Sequence, residues 1–322
     1  MTARFGYTLM TEQSGPRELV RYATVAETAG FDFEVSSDHY SPWLVSQGHA
    51  PYAWSVLGAV AQATTSVELM TYVTCPTMRY HPAVVAQKAA TMQLLSEGRF
   101  TLGVGSGENL NEHVVGEGWP SVAVRQSMLE EAIQLIRPLQ SGELTTWEGD
   151  YFRVDSARVW DTPDQPVEIA VAVSGADSID RFSALGDHLI AVQPDRDLLT
   201  AWNDAHEGAS RKIGQIPICW DPDEQAAIAR AHDQFRWFGG GWAVNADLPT
   251  PAGFTGASQF VRPEDVAETI PCGPDIDRIA EAVRAWIDAG FTDIALVQIG
   301  DEGQDAFLEH AAGPLLDRLR AL

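Results

Sequence analysis

Positive charge is scarce in this chain of 322 residues. Lys and Arg together number 21 against 45 Asp and Glu, which sets the formal net charge at −24. Lysine occurs only at Lys88 and Lys212. A protein that binds nucleic acid generally needs a basic face to neutralise phosphates. The composition therefore argues against a nucleic-acid partner.

Cysteine and long apolar runs are equally rare. The three cysteines, Cys75, Cys219 and Cys272, are widely separated and form no C-x-x-C pair, which argues against a disulfide framework or a structural zinc. No apolar run approaches the roughly 18 residues of a membrane helix. Met1–Met10 has no pattern of a secretory signal. We therefore expect a cytoplasmic protein with no membrane partner.

What the chain does contain is a regular alternation of short apolar runs and longer segments of helical period. The predicted strands are Arg4–Leu9, Phe31–Ser36, Val67–Val73, Phe100–Val104, Val167–Val173, His188–Val192, Ile216–Trp220 and Asp293–Gln298. The predicted helices include Pro16–Ala29, Ala53–Thr64, Ala83–Leu95, Arg125–Leu139, Asp177–Leu185 and Glu224–Phe238. This rhythm predicts one (β/α)₈ TIM barrel over residues 1–322, with a doubly wound sheet as the alternative.

Two segments interrupt the rhythm. Gly107–Pro166 contains a helix and two short β-like pieces, Thr145–Trp147 and Tyr151–Val154, and we interpret it as an excursion from the barrel. Gly239–Gly273 is rich in Gly, Pro, Ala and Thr and shows no clear period. This composition and the absence of a period predict a long loop there, with at most one helical turn. Loops of that length usually serve as lids or binding segments.

The active site of a (β/α)₈ barrel lies at the carboxyl ends of its strands. His39 follows Asp38 after the second predicted strand. Imidazole titrates near neutral pH and a neighbouring carboxylate tunes it, so His39 is a candidate proton acceptor. A capping Asp beside a surface His is the alternative. Trp43 is carried by the same loop, although tryptophan is more often a core residue than a ligand platform.

Glycines and a carboxylate follow the fourth predicted strand. Gly105, Ser106 and Gly107 would let a flat or phosphorylated ligand approach the backbone closely, and Glu108 is placed for proton transfer. The alternative is that the strand needs small residues for packing. The pattern is not the dinucleotide-binding fingerprint, which requires G-x-G-x-x-G at the first strand.

Two further features leave both a functional and a structural interpretation open. Cys75, after the third strand, is a nucleophile or a small buried hydrophobic residue. Val173–Ala176 is an anion-binding turn or a helix cap by Ser174. No His, Asp or Glu set stands at metal-ligand spacing with the remaining candidate histidines, which are His49, His81 and His113, so we expect no metal site.

A set of motifs taken together resembles one family. The motifs are Ser37–Asp38–His39, Trp43, Gly48–Pro51, Pro76–Thr77, Arg79–Tyr80, His81–Ala83 and Gly105–Glu112. They resemble the luciferase-like oxidoreductases that use the deazaflavin coenzyme F420, and most closely the glucose-6-phosphate dehydrogenase group. The resemblance is dense from about Phe5 to Gly175 and thinner beyond.

The resemblance implies hydride transfer from an alcohol carbon of the substrate to C5 of the deazaflavin. It implies that His39 takes the hydroxyl proton, that Trp43 helps hold the alcohol, and that Glu108 acts as an acid near the ring. It also implies a non-prolyl cis peptide at Tyr72–Val73. The implied cofactor-binding residues are Asp38, Val73, Cys75, Ser106, Gly107, Asn111, Val173, Ser174 and Gly175.

One departure from the family concerns the substrate. Sugar-phosphate members hold the phosphate with basic residues in the later barrel loops, whereas the corresponding stretches here, Gln193–Asp197 and Arg262–Thr269, contain no lysine. Arg196 and Arg262 are the candidate phosphate-binding residues, because a dianion needs charge-assisted partners. We hypothesise that the substrate is a neutral secondary alcohol or a different sugar derivative rather than glucose 6-phosphate.

Two other functions stay open at this point. A flavin-dependent monooxygenase of the same barrel class would use FMN in place of F420, because only a flavin activates oxygen. A non-catalytic barrel that binds a flavin or a partner is the third possibility. Relatives are often homodimers, and the apolar helices Ala53–Thr64 and Ala83–Leu95 would supply a dimer face.

Overall fold

Eight parallel strands close a barrel in the computed structural model, which describes residues 3–322. The order around the barrel is β1, β2, β3, β4, β7, β8, β9 and β10, while β5 and β6 form a separate antiparallel pair. The strands are β1 Arg4–Leu9, β2 Phe33–Ser36, β3 Glu68–Thr71, β4 Phe100–Val104, β5 Thr145–Glu148, β6 Arg153–Ala157, β7 Glu168–Ala172, β8 His188–Ala191, β9 Lys212–Ile218 and β10 Asp293–Gln298. The predicted (β/α)₈ barrel is confirmed.

Helices cover the outside of the barrel and extend its loops. They are α1 Pro16–Ala29, α2 Ala53–Ala63, α3 Pro82–Leu95, α4 Asn109–Glu112, α5 Val122–Gln140, α6 Ala176–Phe182, α7 Arg196–Ala205, α8 Glu224–Phe235, α9 Trp242–Asn245, α10 Pro251–Ala257, α11 Pro263–Thr269, α12 Ile276–Ala289, α13 Gln304–His310 and α14 Ala312–Arg320. Within residues 3–322, no helix is both long and apolar enough to cross a membrane.

Alternating side chains of the strands serve two cores. Phe5, Tyr7 and Leu9 of β1 belong to the large cluster between the strands and the helices. The opposite alternation places Phe33 of β2 and Ile213 of β9 in a smaller cluster inside the barrel. Strands buried on both faces read as nearly continuous apolar runs, which is why the sequence pattern marked them. The polar residues that follow these runs therefore collect at one end of the barrel.

The segment 239–273 differs from the prediction of a long loop. It contains α9, α10 and α11, and it is therefore mostly helical. Pro251 and Pro263 each stand in the first turn of a helix, and the Thr250 hydroxyl accepts a hydrogen bond from the amide of Gly253 at 3.2 Å. Proline at the first helical position stops no helix, because its missing N–H has no partner there anyway. Pro251 and Pro263 therefore mark the beginnings of helices, and the prediction of a loop at these positions is wrong.

Candidate active site

His39 lies at the carboxyl end of β2 between two carboxylates. Its Nδ1 is 3.2 Å from Oε1 of Glu12, and its Nε2 is 3.2 Å from Oε2 of Glu108. Nδ1 also lies 3.2 Å from the carbonyl oxygen of Ser41. Burial disfavours the imidazolium, but Glu12 and Glu108 outweigh it and raise the pKa of His39 to about 9. The structure therefore brings together two of the predicted catalytic residues, His39 and Glu108.

Glu12 is a site residue that our sequence reasoning missed. Its side chain is 1% exposed, and its Oε2 accepts hydrogen bonds from the hydroxyls of Thr11, at 3.2 Å, and Ser37. Glu12 follows β1 just as His39 follows β2. Examining the residues after the first strand, as we did for the later strands, would have found it.

Asn111 connects Glu108 to the loop that carries His39. The Asn111 side-chain amide donates to Glu108 Oε2 at 2.9 Å, and its oxygen accepts from the amides of Tyr40 and Ser41 at 2.8 and 3.3 Å. Asn111 is 3% exposed. Its amide group thus has partners within the protein, and these contacts keep the Glu108 carboxylate beside the imidazole.

Asp38 is anchored by four side chains. Its Oδ2 accepts hydrogen bonds from Trp54 Nε1 at 3.0 Å and from the Thr74 hydroxyl at 2.8 Å. Its Oδ1 accepts from the Tyr80 hydroxyl at 3.1 Å and from Arg79 Nη2 at 3.2 Å. With four donors around one carboxylate, Asp38 fixes the start of the His39 loop.

Trp43 belongs to an aromatic wall, which we define as Trp43, Trp237 and Phe254. The Trp43 and Trp237 rings stack with centroids 4.0 Å apart and 9° between their planes. Phe254 meets Trp43 edge-on at 5.0 Å, and the His39 ring centroid lies 4.9 Å from that of Trp43. Phe254 lies within 239–273 and Trp237 stands two residues before it, so this part of the chain packs against the loop that carries His39.

The turn after β3 carries the expected cis peptide between Tyr72 and Val73. Gly107 faces this turn with a φ of +84°, and a Cβ there would come within 2.6 Å of the Cys75 sulfur. The residue at 107 must therefore be glycine for the two turns to pack. Burial raises the pKa of the Cys75 thiol well above its usual value, which favours the buried hydrophobic interpretation of Cys75 over the nucleophile.

The turn after β7 is capped from within. Helix α6 begins at Ala176, and its N-cap is Gly175 rather than the predicted Ser174. The amides of Ser174 and Gly175 donate to the Ser178 hydroxyl at 3.0 and 3.2 Å. No atom lies within 4 Å of a Cβ built on Gly175. An adjoining cavity of about 340 Å³ is lined by Gln126 and residues 174–178.

The two candidate phosphate-binding residues are engaged elsewhere. Arg196 Nη2 donates to the carbonyl oxygen of Asp288, in the last turn of α12, which leads into the amino end of β10. Arg262 donates from Nε to Asp265 Oδ2 at 3.1 Å on the surface, where its side chain is 68% exposed. Within residues 3–322, neither arginine is among the partners of His39, which are Glu12, Ser41, Glu108 and Trp43.

Comparison with known proteins shows the family of this chain. Residues 1–293 match the family described as luciferase-like monooxygenase. The chain belongs to this family. A relative from Beutenbergia cavernae, named F420-dependent glucose-6-phosphate dehydrogenase, is 35% identical over 99% of this chain and 98% of its own length. A relative of the same name from Segniliparus rotundus is 34% identical over 99% of this chain and 98% of its own length.

Among solved structures, an F420-dependent secondary alcohol dehydrogenase in complex with an F420–acetone adduct matches with a TM-score of 0.87. That match is 29% identical and covers 97% of this chain and 99% of the other. The curated relatives and this structure thus carry the same cofactor in their names but different substrates.

Proposed function

We propose that this chain is a coenzyme F420-dependent dehydrogenase that oxidises a neutral secondary alcohol. The observation that carries the proposal is the position of His39, held between Glu12 and Glu108 at the carboxyl end of the barrel. A base at this point takes the hydroxyl proton of an alcohol while a hydride leaves the same carbon. The names of the relatives and of the matching structure support the choice of cofactor.

His39 acts through Nε2. Glu12 and the Ser41 carbonyl oxygen occupy Nδ1, so this nitrogen carries a proton and orients the ring. Nε2 then accepts the proton of the alcohol beside Glu108. Because the pKa of His39 is raised to about 9, the imidazole is protonated in the free protein at neutral pH. Alcohol oxidation accordingly speeds up toward alkaline pH, whereas reduction of the ketone is favoured at lower pH.

Open space at the turn after β7 supports a bound cofactor. A Cβ built on Gly175 would meet open space, and a cavity of about 340 Å³ adjoins this turn. Val73 and Ser106 are partly exposed. When bound, coenzyme F420 supplies a ring carbon that accepts the hydride. The residues that would hold it are Asp38, Val73, Cys75, Ser106, Gly107, Asn111, Val173, Ser174 and Gly175.

The neutral substrate follows from charge and from the aromatic wall. A phosphate dianion needs charge-assisted partners, yet Arg196 donates to the backbone carbonyl oxygen of Asp288 and Arg262 pairs with the carboxylate of Asp265. The wall at the His39 ring is made of apolar faces. Such a surface favours the alkyl groups of a small secondary alcohol over a sugar phosphate.

Cofactor binding is tested by titrating the protein with F420 and, in parallel, with FMN, while following tryptophan fluorescence. We expect saturable quenching by F420 at a concentration at least tenfold below that needed with FMN. A preference for FMN would assign the protein to the monooxygenase branch of the family. Absence of binding to either would contradict both assignments.

Substrate class is tested by comparing propan-2-ol, cyclohexanol and glucose 6-phosphate with the F420-loaded protein. We expect a higher kcat/KM for the neutral alcohols. A low KM for glucose 6-phosphate would overturn the neutral-substrate proposal and leave the dehydrogenase proposal standing.

A further inference from the structure

Arg79 joins the two loops that supply the proposed base and its acid. Its Nη2 donates to the carbonyl oxygen of Asp38 at 2.6 Å and to Asp38 Oδ1 at 3.2 Å, in the loop after β2. Its backbone amide donates to Glu112 Oε2 at 2.9 Å, and its Nε lies 3.5 Å from Glu112 Oε1, at the end of α4. Arg79 itself belongs to the turn after β3, so this single residue links three consecutive strand ends.

The charges around Arg79 make these contacts costly to lose. Asp38 is 2% exposed and Glu112 is 1% exposed, so two buried carboxylates share one guanidinium. Burial raises the pKa of Glu112 to about 7, although Arg79 opposes the shift. Removing one partner from a buried ion pair leaves an uncompensated charge, which the structure relieves by protonation or by movement of the loops.

The two residues that Arg79 contacts, Asp38 and Glu112, are close in sequence to the proposed reacting groups. Asp38 directly precedes His39, and Glu112 directly follows Asn111, whose side-chain amide donates to Glu108 at 2.9 Å. We infer that Arg79 is a positioning residue that holds the loop after β2 and the α4 turn together, so that Glu108 stays beside His39. The inference rests on the proposed function, since it concerns the geometry of the proposed base.

The test replaces Arg79 with Met, which preserves much of the side-chain length and removes the charge. We expect kcat/KM for a secondary alcohol to fall about 100-fold, because a displacement of roughly 1 Å in a catalytic pair costs that much. Arg137→Met is the matched control. Arg137 Nη2 donates to one carbonyl oxygen, of Leu185 at 2.9 Å, and to one carboxylate, of Asp187 at 2.8 Å, outside the site. The control is expected to keep kcat/KM within about threefold of the unmodified protein.

A readout independent of activity separates positioning from general stabilisation. The charged groups beside His39 are Glu12 and Glu108, so separation of Glu108 lowers the His39 pKa. NMR titration of the His39 ring, assigned with a His39→Gln variant, is expected to show a fall of at least one pH unit in Arg79→Met and no change in Arg137→Met. An unchanged His39 pKa in folded Arg79→Met would overturn the inference.

Two further variants keep the test decisive. Arg79→Lys retains the charge, but its one ammonium group cannot serve both Asp38 and Glu112, and it is expected to give a smaller fall of the same two quantities. If Arg79→Met does not fold, an unchanged His39 pKa in Arg79→Lys refutes the inference. In a double-mutant cycle, adding Glu112→Gln to Arg79→Met is expected to cost little more than Arg79→Met alone, and full additivity would contradict coupling through Glu112.

The NMR titration needs neither F420 nor an alcohol. If the unmodified protein oxidises no alcohol, the proposed function fails, yet the dependence of the His39 pKa on Arg79 is still measured. The two failures are therefore distinguishable.

Discussion

Replacing Glu12 with Gln tests whether the two carboxylates set the protonation of His39. The pKa of His39 is raised from 6.5 to about 9, and each unit corresponds to about 1.36 kcal/mol of differential interaction. Glu12 and Glu108 lie at equal distances, 3.2 Å, from the two ring nitrogens. Because burial lowers the pKa of His39, the two carboxylates together raise it by more than the net rise, and we expect loss of the Glu12 charge to lower it by at least about 1 pH unit, or about 1.4 kcal/mol.

The assay is the pH profile of kcat/KM for alcohol oxidation. The unmodified protein is expected to show a limb that rises with pH with a midpoint near pH 9, because the base must lose its proton before it accepts another. In Glu12→Gln the midpoint is expected to move to lower pH by at least about 1 pH unit. Glu309→Gln, which removes an exposed carboxylate, is the control and should leave the limb in place. An unmoved limb in Glu12→Gln would refute the assignment of the raised pKa to Glu12.

Three other changes have defined expected outcomes. His39→Ala is expected to lower kcat by about 10² to 10⁴ with F420 affinity retained; loss of F420 binding with normal turnover of the bound fraction would make His39 structural. Trp237→Ala removes the ring stacked on Trp43 and is expected to raise KM for a secondary alcohol roughly 3- to 10-fold, which steady-state kinetics checks. Glu34→Met removes a buried carboxyl group whose two oxygens have no hydrogen-bond partner among residues 3–322 and is expected to stabilise the fold by about 1–3 kcal/mol. Burial raises the pKa of folded Glu34 well above its usual value, so unmodified protein loses stability as pH rises through the usual carboxyl range. The gain from Glu34→Met should therefore grow between pH 4 and pH 8 in urea denaturation, and a loss of stability at every pH would contradict it.

The barrel was predictable because its strands are buried on both faces and alternate with helical segments. Helices α10 and α11 were not predictable, because a proline in the sequence is found both where a helix is broken and where one begins. Pro251 and Pro263 each stand in the first turn of a helix. The start of a helix is identified by its capping residues, and these do not stand out in a segment rich in glycine, proline, alanine and threonine.

Within the site, the sequence indicates that His39, Glu108 and Trp43 lie at one end of the barrel, because they follow strand ends and belong to the family motifs. Their catalytic roles stay predictions. Glu12 contacts His39 only because the ends of β1 and β2 lie side by side, which the sequence pattern of one loop does not show. The hydrogen bond from Arg196 to the carbonyl oxygen of Asp288 likewise depends on the packing of α7 against α12. These two helices are far apart in the sequence.

The homodimer and the individual cofactor contacts stay predictions. The hydrogen bonds of Asp38 with Trp54 and Thr74, and of Asn111 with Glu108, are contacts within the protein and do not test cofactor binding. Gly107→Ala and Gly175→Ala test the two turns independently. A Cβ at 107 collides with the Cys75 side chain, whereas a Cβ at 175 meets open space.

The central claim is hydride transfer from an alcohol to coenzyme F420. The most direct measurement mixes the protein, F420 and propan-2-ol labelled with deuterium at the carbinol carbon, and follows the deazaflavin absorbance together with the product. The proposed function predicts bleaching of the deazaflavin, one acetone for each F420 reduced, and deuterium in the reduced cofactor. Unchanged absorbance with F420 bound, for this and other secondary alcohols, would contradict it.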